Sequence, residues 1–146
     1  MSSRGLVLTP PALASELDDG LLTASEAATL ELDADLLVLS ACNTATTDGT
    51  PGAESLSSLS RAFLYAGARG IYASHWRVSD DVTARLITIA LGLRRDGRTR
   101  AVSLALAMKA VRSGVLPDGS AVPGWTPDWA HPAAWAPFVV LSGADG

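Results

Sequence analysis

One cysteine (Cys42), one lysine (Lys109) and two histidines (His75 and His131) are all that this 146-residue chain offers of those three types. A single thiol cannot close an internal disulfide, so the sequence reads as a protein of a reducing, cytoplasmic compartment. No basic stretch followed by an apolar one opens the chain, and no apolar run reaches the length needed to span a bilayer. Acidic residues outnumber basic ones by 15 to 11, for a formal charge of -4. That balance leaves no electrostatic basis for binding nucleic acid or an anionic membrane. Internal repeats and low-complexity tracts are also lacking. What is present is apolar: 48% hydrophobic against 18% charged residues, the composition of one domain with a buried core.

The strongest signal is Leu36-Leu37-Val38-Leu39-Ser40-Ala41-Cys42-Asn43-Thr44. An apolar run of this kind reads as a buried strand, and the C-terminal ends of such strands are where open α/β sheets place their chemistry. Before it come a short strand candidate, Gly5-Leu6-Val7-Leu8, and a capping box in Thr23-Ala24-Ser25-Glu26 that predicts a helix to about Leu30. After it, residues 43–54 form a polar loop with Gly49, Pro51 and Gly52.

Helical spacing then begins at Ser55, with Leu56, Leu59, Phe63 and Leu64 on one face and Gly67 as the stop. Gly70-Ile71-Tyr72-Ala73-Ser74 is the next strand. Ser79 can cap a helix that carries Asp80 and Asp81 in its first turn and buries Val82, Leu86, Ile89 and Leu93. Thr99 opens another helix, with Leu104, Met108 and Val111 inward, closed by Gly114. A Pro/Trp-rich segment runs from Leu116 to Pro137, and Phe138-Val139-Val140-Leu141 is the last strand. The order β-α-β-α-β-αα-β predicts an α/β fold, a mostly parallel sheet covered by helices on both faces.

Four segments resemble the CHAT domain, a family of caspase- and separase-like cysteine peptidases often fused to tetratricopeptide repeats in bacteria. They are Ser40-Ala41-Cys42-Asn43-Thr44; Arg61-Ala62-Phe63 with Ala66-Gly67-Ala68; Ser74-x-Trp76-x-Val78-x-Asp80; and His131-Pro132-x-x-Trp135-Ala136-Pro137-Phe138. The resemblance extends from about Gly5 to Gly143, and the whole chain, 1–146, reads as a partial, N-terminally truncated CHAT domain of caspase-like fold. On its own, a lone cysteine at a strand end is a small buried hydrophobe. The flanking motifs imply instead that Cys42 is the catalytic nucleophile, acting on a protein or peptide substrate with no cofactor and no metal.

The resemblance further implies that the Cys42 amide is one oxyanion donor, and that a glycine beside the family's catalytic histidine is the other. None of residues 1–41 is histidine, so the family's His-Gly segment would fall before residue 1. An upstream region with tetratricopeptide repeats, or a separate chain, would be the partner that supplies it. The two histidines present read as a tolerated substitution near the cleft (His75) and a loop anchor (His131). Acidic residues after the W-x-V motif help form a basic-residue pocket in separase-like relatives, which makes Asp80 a substrate-binding candidate beside its plain role as a first-turn helix carboxylate. Trp76 would wall that pocket or sit in the core, and Ser74 flanks the same edge. Asp81 reads as a helix-dipole carboxylate only.

Two departures from the family bear on catalysis. Ala45 replaces the common glycine after Cys-Asn-Thr, and Ala53-Glu54-Ser55-Leu56-Ser57-Ser58 stands where the family tends to have several glycines. Losing glycines removes access to positive φ and to close backbone approach. With no base in the preceding residues, the Cys42 thiol is expected to titrate at its ordinary value or above it. Alkylation rate measured against pH checks this, and a midpoint well below 7 would contradict it.

Overall fold

In the computed structural model, which describes residues 5–9, 13, 19–39 and 53–142, Thr23 closes one strand and opens one helix. Strand β2 (Leu21–Thr23) runs into α1 (Ala24–Ala27), and both bonds of the predicted capping box are made. The Glu26 amide donates to Thr23 Oγ1, and the Thr23 amide donates to Glu26 Oε2 at 2.8 Å. That backbone bond, with a second from the Thr23 hydroxyl, holds the Glu26 carboxyl below the usual glutamate range. The helix stops at Ala27 rather than near Leu30, because the next amides turn inward. Thr29 N–H reaches Glu26 O and Leu30 N–H reaches Ala27 O, the tighter spacing that ends a helix.

The described residues belong to two compact units. The first lies within Met1–Leu37, Thr44–Ile71 and Ser142–Gly146. Here β1 (Gly5–Val7) pairs antiparallel with β2, Gly5 opposite Thr23 and Val7 opposite Leu21, in a two-stranded sheet of their own. The expectation that Gly5-Leu8 opens an alternating parallel series is thereby corrected. Its partner Leu21-Leu22 is too short to show a period, and the capping box dominates the local signal. Helix α2 (Ala53–Tyr65) buries Leu59, Ala62 and Phe63. It ends at Gly67, which adopts φ 107°, and a Cβ there would overlap the Leu32 carbonyl oxygen. That close approach lets the Leu32 amide reach Ala66 O at 2.6 Å and sets up the parallel bridge between Ala34 and Ala68. The nearby Arg69–Asp33 ion pair, at 2.6 Å, is largely exposed and adds little.

The second unit lies within Val38–Asn43 and Tyr72–Leu141. It holds most of a three-stranded sheet in the order β3-β4-β5: β3 (Leu37–Leu39), β4 (Gly70–Ser74) and β5 (Phe138–Ser142). Every residue of β4 is buried, as expected for a central strand. Helices α3 (Asp80–Arg95) and α4 (Arg100–Ser113) pack on each other. Their buried residues are small: Ala90 on α3, and Ser103, Ala107 and Ala110 on α4, beside Leu86, Leu104 and Val111. Small side chains let two helix axes approach closely. The sequence placed Ile89, Leu93 and Met108 inward; these are half-buried, and alanines take the innermost positions. Thr99 caps α4 through its hydroxyl as expected, whereas Ser79 precedes α3 without a side-chain cap bond. The fold is α/β, as the sequence predicted.

The Pro/Trp-rich segment is not a plain loop. It returns through a bridge between Val115 and Ala121, a 3-10 helix (Pro127–Ala130) and α5 (Pro132–Trp135). The last carbonyls of α4 need partners outside the helix. Gly114, in the left-handed conformation, donates its amide to Ala110 O, and the Trp125 indole donates to Val111 O at 2.7 Å. The Trp125 ring lies where a Gly114 side chain would be.

Three substitutions test these constraints, each read as thermal or urea denaturation. Gly67→Ala should lower stability by about 2 kcal/mol or more, since it combines strained φ with overlap of a carbonyl. Gly92→Ala, mid-helix with open space around it, should instead raise stability by about 0.5–1 kcal/mol. Trp125→Phe keeps an aromatic ring but removes part of the plate and the indole N–H that serves the Val111 carbonyl, and should cost about 1–3 kcal/mol.

Candidate functional site

Cys42 and its neighbours Ser40, Ala41, Asn43 and Thr44 lie outside the described residues, as does Ala45. The strand that leads to them, β3, ends at Leu39, and β4 is its neighbour in the sheet. The remaining candidates come from the segment after β4, and they divide by environment. Ser74, the last residue of β4, is 2% exposed and belongs to the core. Trp76 is 45% exposed, which excludes a core role. Its ring is nevertheless fixed, because the indole N–H donates to Ala133 O at 3.0 Å. Asp80 is exposed at the first position of α3.

His75 follows β4 and is exposed; its backbone amide donates to Pro137 O at 3.0 Å. His131 is the N-cap of α5, where its Nδ1 accepts from the Ala133 amide at 3.2 Å. An imidazole accepting at Nδ1 carries its proton on Nε2, so this histidine is engaged as a loop anchor, as expected. The Trp135 indole donates to Ala130 O at 3.2 Å, and the Arg112 guanidinium stacks over its ring at 5.8 Å. The segment Ser74–Asp80 and the segment His131–Phe138 are thus bonded to each other at two points, Trp76 to Ala133 and His75 to Pro137.

Two concavities flank the N-terminal half of α3. The larger, about 570 Å3, is lined by Arg77, Val78, Val82, Asp128, Trp129 and His131. The smaller, about 400 Å3, is lined by Asp81, Arg85, Thr88, Pro123, Gly124 and Trp129. Neither Trp76 nor Asp80 is among the lining residues; the carboxylates that line these concavities are Asp81 in the smaller and Asp128 in the larger. Sequence reasoning also missed Arg85 and Trp129. Asp81 and Arg85 are spaced i, i+4 on α3, a spacing that put them on one face, but it reads as an ordinary helix-surface pair. Trp129 gave no signal beyond its place in a Pro-rich segment.

Asp118 is held below the usual aspartate range by the Ser120 hydroxyl and then by the Ser120 amide, in the turn beyond α4. It lines neither concavity, and its role is to hold that turn. Among the described residues, no three His, Cys, Asp or Glu side chains come together in a way that could hold a metal ion. No helix among them is long and apolar enough to cross a membrane.

The CHAT domain family model matches residues 2–144. Tetratricopeptide repeat protein 28 of mouse is 31% identical over 121 residues, which are 83% of this chain and 4% of that protein. The chain therefore corresponds to a small part of the length of the relative that it matches. No solved structure matches significantly. With its four motif segments in order and the family match running across nearly all of its length, the chain belongs to the CHAT domain family.

Proposed function

We propose that this chain is a cysteine-peptidase module of the CHAT family in which Cys42 is the nucleophile and the general base comes from outside residues 1–146. The observation that carries this reading is the position of Ser40-Ala41-Cys42-Asn43-Thr44 directly after β3, the neighbour of the buried strand β4. The parallel bridge between Ala34 and Ala68 precedes both strands, so a sheet continuing that direction brings their C-terminal ends to one edge. The C-terminal edge of such a sheet is where open α/β folds place their chemistry. Protein or peptide substrates would run along it, with the exposed Trp76 and Asp80 as the contacting candidates and the buried Ser74 beneath them rather than in contact. A tetratricopeptide-repeat region or a separate chain is the proposed source of the missing histidine.

A second reading has its own support. No histidine stands among residues 1–41, Ala45 takes a glycine's place, and residues 53–58 lack the family's glycines. These favour a non-catalytic module that docks peptides without cutting them. Lack of a general base alone costs on the order of 10²–10⁴ in rate.

The chain alone should therefore show no turnover of a fluorogenic arginyl peptide above the Cys42→Ala background. Added imidazole, a diffusible base, should raise hydrolysis of an activated arginyl ester more in the wild type than in Cys42→Ala, whose rate gives the uncatalysed and imidazole-only background. Equal rates for the two proteins in imidazole would overturn the nucleophile assignment and favour the docking module. Cys42-dependent turnover without imidazole would overturn the external-base assignment.

A further inference from the structure

The cleft between α3 and the Pro123–Trp129 segment contains a charged side chain, Arg85, that is not fully satisfied by the described residues. Arg85 Nε is fully buried and has no hydrogen-bond acceptor among the described residues. A buried donor left without an acceptor costs free energy, more so on a charged group. Asp81 lies one turn earlier on the same helix and lines the same cleft, the arrangement that normally gives an i, i+4 ion pair. No such pair forms between them. Arg85 Nη2 lies over Gly124, whose hypothetical Cβ would be 4.0 Å away, so no side chain covers it from that side.

Trp129 adds a second donor. The indoles of Trp76, Trp125 and Trp135 each donate to a backbone carbonyl. Trp129, half-buried, makes no such bond among the described residues and lines the cleft with Arg85. A forked cation beside a free N–H, in a cleft of about 400 Å3, is the donor set for a planar anion with two acceptor oxygens.

We infer that this cleft is a carboxylate-binding subsite for peptides, with Arg85 taking the carboxylate through the Nη edge of its guanidinium and Trp129 supplying a further N–H. The Asp81 carboxylate disfavours a second negative charge on the ligand and selects for single carboxylates. The carboxylate comes from a chain terminus or from a glutamate side chain; the chemistry is the same. The subsite requires nothing of Cys42, so it stands or falls separately from the peptidase reading.

The test is titration of the full chain, followed through the side-chain N–H resonances of Arg85 and Trp129. The probes are N-acetyl-dialanine with a free C-terminal carboxylate, its C-terminal amide, N-acetyl-glutamate amide and N-acetyl-glutamine amide. Saturable shifts of both resonances by a carboxylate probe, and not by its uncharged counterpart, are expected. Response to the first acid identifies a chain terminus as the source, and response to the glutamate derivative identifies a side chain. Arg85→Met, which keeps the stem, should weaken binding by about tenfold or more, as expected for loss of a charge-assisted bond. Trp129→Phe should weaken it by a few-fold, and Asp81→Asn should tighten it. The Asp81 variant reads as a gain, which a folding defect cannot mimic. Equal shifts from acids and amides, no saturable shift with either acid, or unchanged affinity in Arg85→Met would overturn the assignment.

Discussion

Val111 O is a carbonyl that its own helix cannot satisfy, and much of the second unit is arranged around that fact. The final turn of α4 leaves acceptors that must find donors elsewhere or lose free energy to burial. Gly114 turns the chain back so that its own amide serves Ala110, and the Trp125 indole serves Val111. The ring that does so occupies the space a Gly114 side chain would take. The path of the following residues is then constrained, because Val122 N–H must reach Gly114 O for the ring to arrive there.

The same device recurs further along. Trp135 satisfies Ala130 O at the end of the 3-10 helix, and Trp76 satisfies Ala133 O within α5. Indoles suit this work because one polar atom sits on a large apolar plate, so a single side chain supplies both burial and a directed donor. Segments as short as the 3-10 helix and α5 cannot hold themselves in water. They persist because tryptophans from other segments fill their open acceptors. That also accounts for the motif spacing: Trp76 and the His131–Phe138 segment are far apart in sequence, yet each contains half of a bonded pair.

What the sequence made legible was mainly local. The Thr23–Glu26 capping box, the Thr99 cap and the stops at Gly67 and Gly114 depend on residues a few positions apart, and all are present. Strand β4 was legible because a fully buried strand is a continuous apolar run. The pairing of β1 with β2 was not, since three-residue strands carry no measurable period. Nor was the alanine-lined contact of α3 and α4, because hydrophobicity ranks Ile89 and Met108 above Ala90 and Ala107 while close packing prefers the smaller ones. At the candidate site, Trp76 and Asp80 were legible as motif members, but a motif does not say whether a side chain faces a cleft.

Asp81 and Arg85 show how that last distinction arises. On a helical wheel they are a surface ion pair, and a surface pair has little consequence for function. The bridge and turns after α4 lay residues 123–129 along that face, which buries Arg85 Nε while Asp81 stays exposed. A feature worth little in water becomes a constraint once it is covered, because a desolvated donor must be answered by some acceptor. Trp129 stands in the same cleft with its indole unengaged, while the other three tryptophans are tied to the backbone. The scaffold thus uses three indoles to hold a segment in place and leaves the fourth, beside an unanswered cation, on the surface that the segment creates.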